Sequence, residues 1–433
     1  MERPQARVMR ARRDQLEMRE VDLESLLPGD HRARVVWSFV EGLDLGPLYA
    51  EFKAVEDQPG RPGIDPLILM ALWLFATLEG VGSARALDRL CIEHNAYRWI
   101  CGGVGVNYHS LSDFRVKYVE FLDELLTRSV AALMMNGTVT LKRMAQDGVR
   151  VRANAGGSSF RRRKRLKAFL AVADEQVQRL RRELDEDPAA SENRQQAAKR
   201  RAASERQERV TQALAEMEKI EAQYAAKNAN GNKKRKKNPP DEREPRASTT
   251  DPEARNMKMA DGGFRPGYNV QLATDTASGV IVGFDVINRG TDWEELPPML
   301  EQLQQRYGRC PEQSLVDGGF AKFESLVAAE DRGTQVFAPV PIPKNAKSDP
   351  HQPKPKDPPA IAQWRLRMAT EEAKQIYKER AASAEWVNAQ ARNRGLRQFG
   401  VRGIVKAKAV VLWYALAHNL MRLPHLTAQP QPA

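Results

Sequence analysis

Apolar residues recur at three- and four-residue spacing through the first third of the chain, and strict alternation takes over near residue 138. Leu67, Met70, Ala71, Leu74, Phe75 and Leu78 make one helix face, with Pro66 at a helix start and Asp65 placed to cap it. The segment SARALDRLCIEH predicts a second helix after Gly80-Val81-Gly82, with Ser83 as its cap. HSLSDFRVKYVEFLDELLTRSVAALMMNG predicts another amphipathic helical run, entered at Ser110 or Ser112. Residues 30–135 thus read as helical. A helix, a glycine-containing turn and a helix bearing Arg85 and Arg89 suit either an ordinary bundle or a helix-turn-helix.

Strand patterns follow. In TVTLKRMAQDGVRV, Val149 and Val151 share one face and Arg150 and Arg152 the other. GYNVQLATDTASGVIVGFDVIN predicts a hairpin turning near Thr276 to Gly279. DWEELPPMLEQLQQRYG predicts an amphipathic helix, QSLVDGGF a buried strand ending at Asp317, and TQVFAPVPI a fifth strand. Strands interleaved with helices in this order predict an α/β mixed sheet with helices on both faces. The order is interrupted by a charged stretch. Within it, Leu166, Phe169, Leu170, Ala173, Val177, Leu180 and Leu184 form one helical stripe, and Val210, Leu214, Met217 and Tyr224 another. Asp187-Pro188 separates the two, which predicts a helical hairpin packed on itself. PIPKNAKSDPHQPKPKDPP reads as a poorly ordered loop.

Charge narrows the partners. The net charge is +12, from 68 basic and 56 acidic residues, which favours a polyanion because bound phosphates release their counterions. The run Lys233-Lys234-Arg235-Lys236-Lys237 is either a solvated linker or a phosphate contact. No apolar run reaches bilayer length, and MERPQARVMRARRDQ lacks the apolar core of a signal peptide. The expectation is a cytoplasmic protein. Cys91, Cys101 and Cys310 form no CxxC pair, so neither a zinc site nor a disulfide framework is expected. His109 and His418 read as structural. Trp293 is either a core residue or a platform for an unpaired base, and Asn269 and Gln271 alternate where they would support a site from behind.

Three acidic residues close separate segments: Asp147 in MAQDGVRV, Asp317 in SLVDGGF and Glu385 in YKERAASAEWVNAQARNRG. Carboxylates at two strand ends and on a later helix are suited to holding two divalent metals against a phosphodiester. The run Tyr377-x2-Arg380-x4-Glu385-x6-Arg392 resembles the Y-x2-R-x3-E-x6-K signature of DDE transposases from bacterial insertion sequences. It differs by one extra residue before the glutamate, which leaves Glu379 as a rival, and by arginine for lysine. Asp317-Gly318-Gly319-Phe320 resembles that family's D-x-G-[FY] block, Asp147-Gly148 its first-aspartate block, and GLRQFGVRGIVKAKAVVLWYALAHNLMRL its tail.

The resemblance implies an RNase H-like mixed-sheet catalytic domain with an all-α, InsH-type N-terminal domain and an α-helical hairpin insertion. The expected boundaries are residues 1–135 for the helical DNA-binding domain, 136–160 with 248–425 for the catalytic domain, 161–247 for the insertion and 426–433 for a disordered tail. In such a fold the strands bearing Asp147 and Asp317 lie side by side and the last helix delivers Glu385. The implied catalytic and metal-binding set is Asp147, Asp317 and Glu385, with two Mg2+ ions for which Mn2+ would substitute. The implied DNA contacts are Tyr377, Arg380, Arg392, Arg85, Arg89, Lys233, Lys234 and Arg235. The implied partner is double-stranded DNA, as element ends and target, bound by a homodimer associated with the nucleoid. An RNase H-like nuclease without strand transfer and a transposase-derived DNA-binding protein are the alternatives.

Overall fold

The computed structural model describes residues 22–52, 62–186, 194–230, 244–342 and 349–427. The chain divides into two compact units. One holds the described residues within Met1–Leu72 together with Asp88–Asn107, the other Trp73–Leu87 and the described residues from Tyr108 onward.

In the first unit, His31 Nδ1 accepts the Ala33 amide and starts α1 (Arg32–Glu41), which is followed by the single turn α2 (Gly46–Tyr49). Asp65 caps α3 (Pro66–Leu78) through the Leu67 amide at 2.8 Å, as its sequence predicts. This helix is apolar nearly all round and correspondingly buried. Ser83, in the second unit, caps α4 (Ala84–Glu93) through the Ala86 amide; α4 enters the first unit at Asp88, and α5 (Asn95–Cys101) ends at Gly102 with φ of 56°. Trp37 and Trp99 meet edge to face, Trp99 Nε1 donates to Glu24, and the Arg34 guanidinium lies 4.8 Å from the Trp99 ring centre.

The second unit departs from the sequence reading at its start. The run after Asn107 is two helices, α6 (Tyr108–Lys117) and α7 (Val119–Met135), broken at Tyr118. Ser110 and Ser112 therefore lie inside α6 rather than at its start. The sheet follows the order β4 (Arg255–Lys258), β5 (Phe264–Asp275), β1 (Arg143–Arg152), β7 (Gln313–Leu315), β8 (Gln335–Phe337), with β6 (Ile281–Ile287) also paired to β5. β5 runs antiparallel to β1, β4 and β6, whereas β1, β7 and β8 are mutually parallel, so the sheet is mixed. The edge strand β4 has no alternating apolar pattern and was not legible. β7 stops at Leu315, two residues short of Asp317.

Helices α10 (Leu296–Tyr307), α11 (Phe323–Glu330), α12 (Pro359–Ala369), α13 (Glu371–Arg380), α14 (Trp386–Asn393) and α15 (Ile404–Thr427) complete the unit. α15 is its central pillar. Trp413 Nε1 donates to Arg115 O, and Asn419 both accepts from and donates to the backbone of Ile281 on β6. That amide satisfies a strand edge which would otherwise be buried with open hydrogen bonds. α15 runs through Thr427, and the rest of the expected tail, residues 428–433, lies outside the described residues.

The charged stretch forms the expected hairpin of α8 (Arg163–Glu186) and α9 (Arg194–Asn230). Leu166, Ala213, Met217 and Ile220 make one core cluster and Val177, Leu180 and Ala203 another. Tyr224 is exposed rather than part of the stripe. The two ends of the excursion pair as β2 (Phe160–Arg161) and β3 (Ala247–Ser248). Part of the loop read as poorly ordered is held. The buried Arg365 donates to Asp357 at 2.7 Å and to Pro350 O at 2.7 Å, fixing residues 349–358 against α12.

Candidate active site

The parallel register of β1 and β7 pairs Arg143 with Gln313, Met144 with Ser314 and Ala145 with Leu315. The same offset separates Asp147 from Asp317, so the two aspartates stand level just beyond the last paired residues. Alternation along the strand puts Asp147 on the face of Ala145 and Val149. Its side chain is largely buried. Asp147 Oδ1 accepts the Gly148 amide at 2.9 Å, and Oδ2 accepts from Asn388 Nδ2 at 3.0 Å. Asp317 Oδ1 accepts the Gly319 amide at 2.7 Å, which turns the chain sharply after the strand.

Glu385 reaches this pair through Arg380. The guanidinium donates from Nη1 to Glu385 Oε1 at 2.8 Å and lies, through Nη2, 3.2 Å from Asp147 Oδ1. In an uninterrupted α-helix, residues five apart are rotated by roughly 140° and do not face each other. Here Ala381–Glu385 form a π turn between α13 and α14. Such a turn inserts one residue into the helix and brings residue i+5 over residue i. The extra residue between Arg380 and Glu385 is therefore absorbed locally, and the glutamate keeps a place on the arginine's face. Glu379 is engaged elsewhere, with Arg143 and, through Oε2, with Thr276 Oγ1 at 3.2 Å.

Charge couples the cluster. Burial pushes the Asp147 carboxyl above the ordinary carboxylate range; Arg380 opposes the rise and Asp317 adds to it. Burial disfavours the charge on Arg380, but Asp147, Tyr377, Asp317 and Glu385 outweigh it and hold the guanidinium above its usual value. Burial likewise raises the half-buried Tyr377 hydroxyl. Arg392 is exposed and its side chain makes no hydrogen bond or ion pair to the cluster. Arg85 and Arg89 are both exposed, Arg85 with its guanidinium 5.1 Å from the centre of the Tyr108 ring. Lys233, Lys234 and Arg235 lie outside the described residues.

Among the described residues, no three His, Cys, Asp or Glu side chains stand close enough together to hold a metal ion as placed. The donor set still fits a divalent cation in its chemistry. It consists of hard carboxylate oxygens, and a cationic group, Arg380, already bridges two of them.

Behind the strand lies a polar network that sequence reasoning only touched. Asp292 Oδ1 accepts from Asn269 Nδ2 and Gln271 Nε2, each at 2.7 Å. Gln146 Nε2 donates to Gln271 Oε1 and to Glu295 O, and Arg150 Nη2 donates to Gly290 O. A Cβ at Gly148 would come within 2.2 Å of Asp292 Oδ1, so glycine is required for close approach of the network to the strand. Asn388, one helical turn beyond Glu385, was findable from its spacing. Asp292 lies at the start of DWEELPPMLEQLQQRYG, and nothing local marked it.

Two family models match parts of the chain. Residues 347–424, which include Tyr377, Arg380, Glu385, Asn388 and Arg392, match a family described as transposase DDE domain. Residues 21–117 match a family described as transposase domain (DUF772). No curated protein and no solved structure matches the chain.

Proposed function

We propose that this chain, whose two family matches support a DDE transposase of an insertion sequence, cleaves DNA at the element's ends and joins the freed 3′-hydroxyl to target DNA. The observation that carries the reading is the placement of Asp147 on β1 and Asp317 two residues beyond the end of the adjacent parallel β7, with Glu385 tied to Asp147 through Arg380. In this reading the sheet and its last helices are an RNase H-like catalytic domain spanning 136–160 and 248–425. Residues 1–135 form the DNA-binding domain, 161–247 the insertion and 426–433 the tail.

Asp147, Asp317 and Glu385 would hold Mg2+, or Mn2+ in its place, as two ions that supply Lewis acidity at the phosphorus and a nucleophilic water at neutral pH. The protein's own share is positional. Asn388 fixes one oxygen of Asp147 and the Gly148 amide the other, so the carboxylate cannot rotate away. Arg380 neutralises Asp147 and Glu385 when no other cation does, and once displaced it lies beside the reacting phosphate as a charge-assisted donor. Tyr377 and Arg392 contact the same strand. Arg85, Arg89 and the Lys233-Lys234-Arg235 run contact phosphates farther along the duplex. The protein acts on nucleoid DNA as a homodimer, one copy for each end. No helix among the described residues is long and apolar enough to cross a membrane.

The test is cleavage of duplex DNA bearing the element's ends, with Mg2+ present. Asp147→Ala, Asp317→Ala and Glu385→Ala should each abolish nicking while binding those ends within a few-fold of wild type. Removing a carboxylate removes no phosphate contact. Glu379→Ala, paired as it is with Arg143, should still cut. Substantial nicking by any of the three carboxylate variants sinks that residue's assignment. Nicking without joined products would mean a nuclease instead of a transposase.

A further inference from the structure

Arg115 is a buried cation for which the fold supplies no anion. It lies on α6 at 7% exposure, with its guanidinium 4.8 Å from the centre of the Trp73 ring and Nη1 donating to Gly82 O. Its Nε is buried and finds no acceptor among the described residues. Burial pushes the guanidinium down to about 10, and no acidic neighbour opposes the fall. Arg365, the other buried arginine among the described residues, is paired with Asp357.

A second cation stands on the same wall. Arg394, at the C-terminal cap of α14, has a buried Nη1 without an acceptor and forms no ion pair among the described residues. Both arginines line one pocket of about 60 Å³ within the second unit, and no Asp or Glu is among the described residues lining it. Other polar groups of the wall are committed. Thr77 Oγ1 donates to Trp73 O, Trp413 Nε1 to Arg115 O and the Tyr414 hydroxyl to Val387 O. Gly80, at φ of 72°, and Gly395, at φ of 86°, meet backbone to backbone, and a Cβ on Gly395 would come within 3.0 Å of Gly80 O. The turn that Arg115 grips at Gly82 is thereby set against the turn that follows Arg394.

Burying a cation without a counter-charge is costly, and two on one wall also repel. Water would satisfy the open N–H groups but would leave both charges in place. An anion restores the balance, and the planar guanidinium fork matches the oxygens of a phosphate. We infer that this pocket binds a phosphate group between Arg115 and Arg394. It shares no residue with the carboxylate cluster and does not depend on the DNA-cleaving reading. Each family-matched segment contributes one guanidinium, Arg115 from residues 21–117 and Arg394 from 347–424. A bound phosphate would fasten α6 to the end of α14, the helix whose Asn388 holds Asp147. Free phosphate and a nucleic-acid backbone offer the same oxyanion, and two arms of one experiment separate them.

The first arm melts the full-length protein while inorganic phosphate replaces potassium glutamate at constant ionic strength. Melting temperature should rise along a saturating curve, by roughly 5 °C at a hundredfold excess over the dissociation constant. Arg394→Gln and Arg115→Gln should abolish the saturating rise. Phosphate also stabilises proteins by exclusion from their surface, but that part does not saturate and should be equal in all three proteins. The Arg394 side chain is partly exposed and makes no hydrogen bond, so Arg394→Gln should fold even if Arg115→Gln does not. The second arm measures affinity for a fluorescein-labelled duplex at several salt concentrations, in phosphate-free buffer with EDTA. A slope of log affinity against log salt that falls by roughly one unit in the variants assigns the pocket to a backbone phosphate. A saturating rise in the first arm with an unchanged slope in the second assigns it to free phosphate. Absence of both effects would overturn the site. So would a rise that the variants retain in full.

Discussion

Strand β1 has two faces that solve different problems. On the Asp147 face the partners are charged: Arg380 bridges Asp147 to Glu385, and Asn388 is the neutral hydrogen-bond donor beside them. On the Gly148 face the contacts are mainly amide to carboxylate and amide to carbonyl, tied into a buried net by Gln146, Asn269, Gln271 and Asp292. A guanidinium on a long side chain can leave and be replaced by another cation. A buried net of short amides cannot rearrange without leaving polar groups unpaired. The contrast teaches where adjustment is allowed. The site exchanges charge on one side while its backbone is held from the other.

The sharpest way to break that division is to fill the one gap on which the rigid face depends. In Gly148→Ala the new methyl would lie 2.2 Å from Asp292 Oδ1, 2.6 Å from Gln271 Nε2 and 2.7 Å from Asn269 Oδ1. All three are buried side chains already joined by hydrogen bonds. Overpacking of this kind costs roughly 1–3 kcal/mol, and lost hydrogen bonds in the net add to it. The expected outcome is a clearly lower melting temperature together with loss of DNA nicking at temperatures where the variant is still folded. An unchanged melting curve would show that the reverse face is not a fixed support.

Asn388→Ala probes the opposite face and should have a smaller, different effect. The variant leaves Asp147 Oδ2 without its donor but creates little strain. Partners that orient metal ligands typically affect metal affinity or activity by about 10–100-fold. Mn2+ titration followed by paramagnetic resonance should show weakened binding, with melting temperature lowered much less than in Gly148→Ala. If stability falls as far as in Gly148→Ala while Mn2+ affinity holds, Asn388 is a packing residue and the two faces are alike.

The sequence revealed these two faces to different degrees. Asp147, Asp317 and Glu385 each close a segment whose pattern is local, a strand or a helix, so their elements were readable, while their expected proximity came from the family resemblance. The π turn was visible only as an extra residue before Glu385, because a sequence shows the count but not the hydrogen bonds that absorb it. The Gly148 face was nearly silent. Asn269 and Gln271 stood out as polar positions in a strand, but Asp292 comes from a turn that crosses to them from the far end of β6, and no local spacing encodes that contact. The edge strand β4 and the break at Tyr118 were missed for a related reason. Both are set by what the chain packs against, and local propensity does not carry that information.

The mildest expected effect concerns Glu295, whose carbonyl ties the turn to Gln146 and whose side chain is buried beside Arg289. Burial pushes its carboxyl up to about 7, with Arg289 opposing the rise, against a reference of 4.5. The folded chain therefore keeps a proton that the unfolded chain has already lost across the window from pH 4.5 to 7. Where the folded state binds more protons, stability falls as pH rises, so the wild-type protein should lose stability across that window and level off above it. Glu295→Gln keeps the shape and cannot ionise. It should show a flatter profile and, at pH 8, melt higher than wild type by roughly 2–4 °C, the size of a change of about 1 kcal/mol in a domain of this class. Melting curves at pH 5, 6, 7 and 8 on both proteins provide the check. If Arg289 instead holds Glu295 ionised throughout, the wild type will show no slope in this window and Glu295→Gln will be the less stable protein at pH 8. The Gly148 face would then be held by charge like the other, and the contrast between the two would disappear.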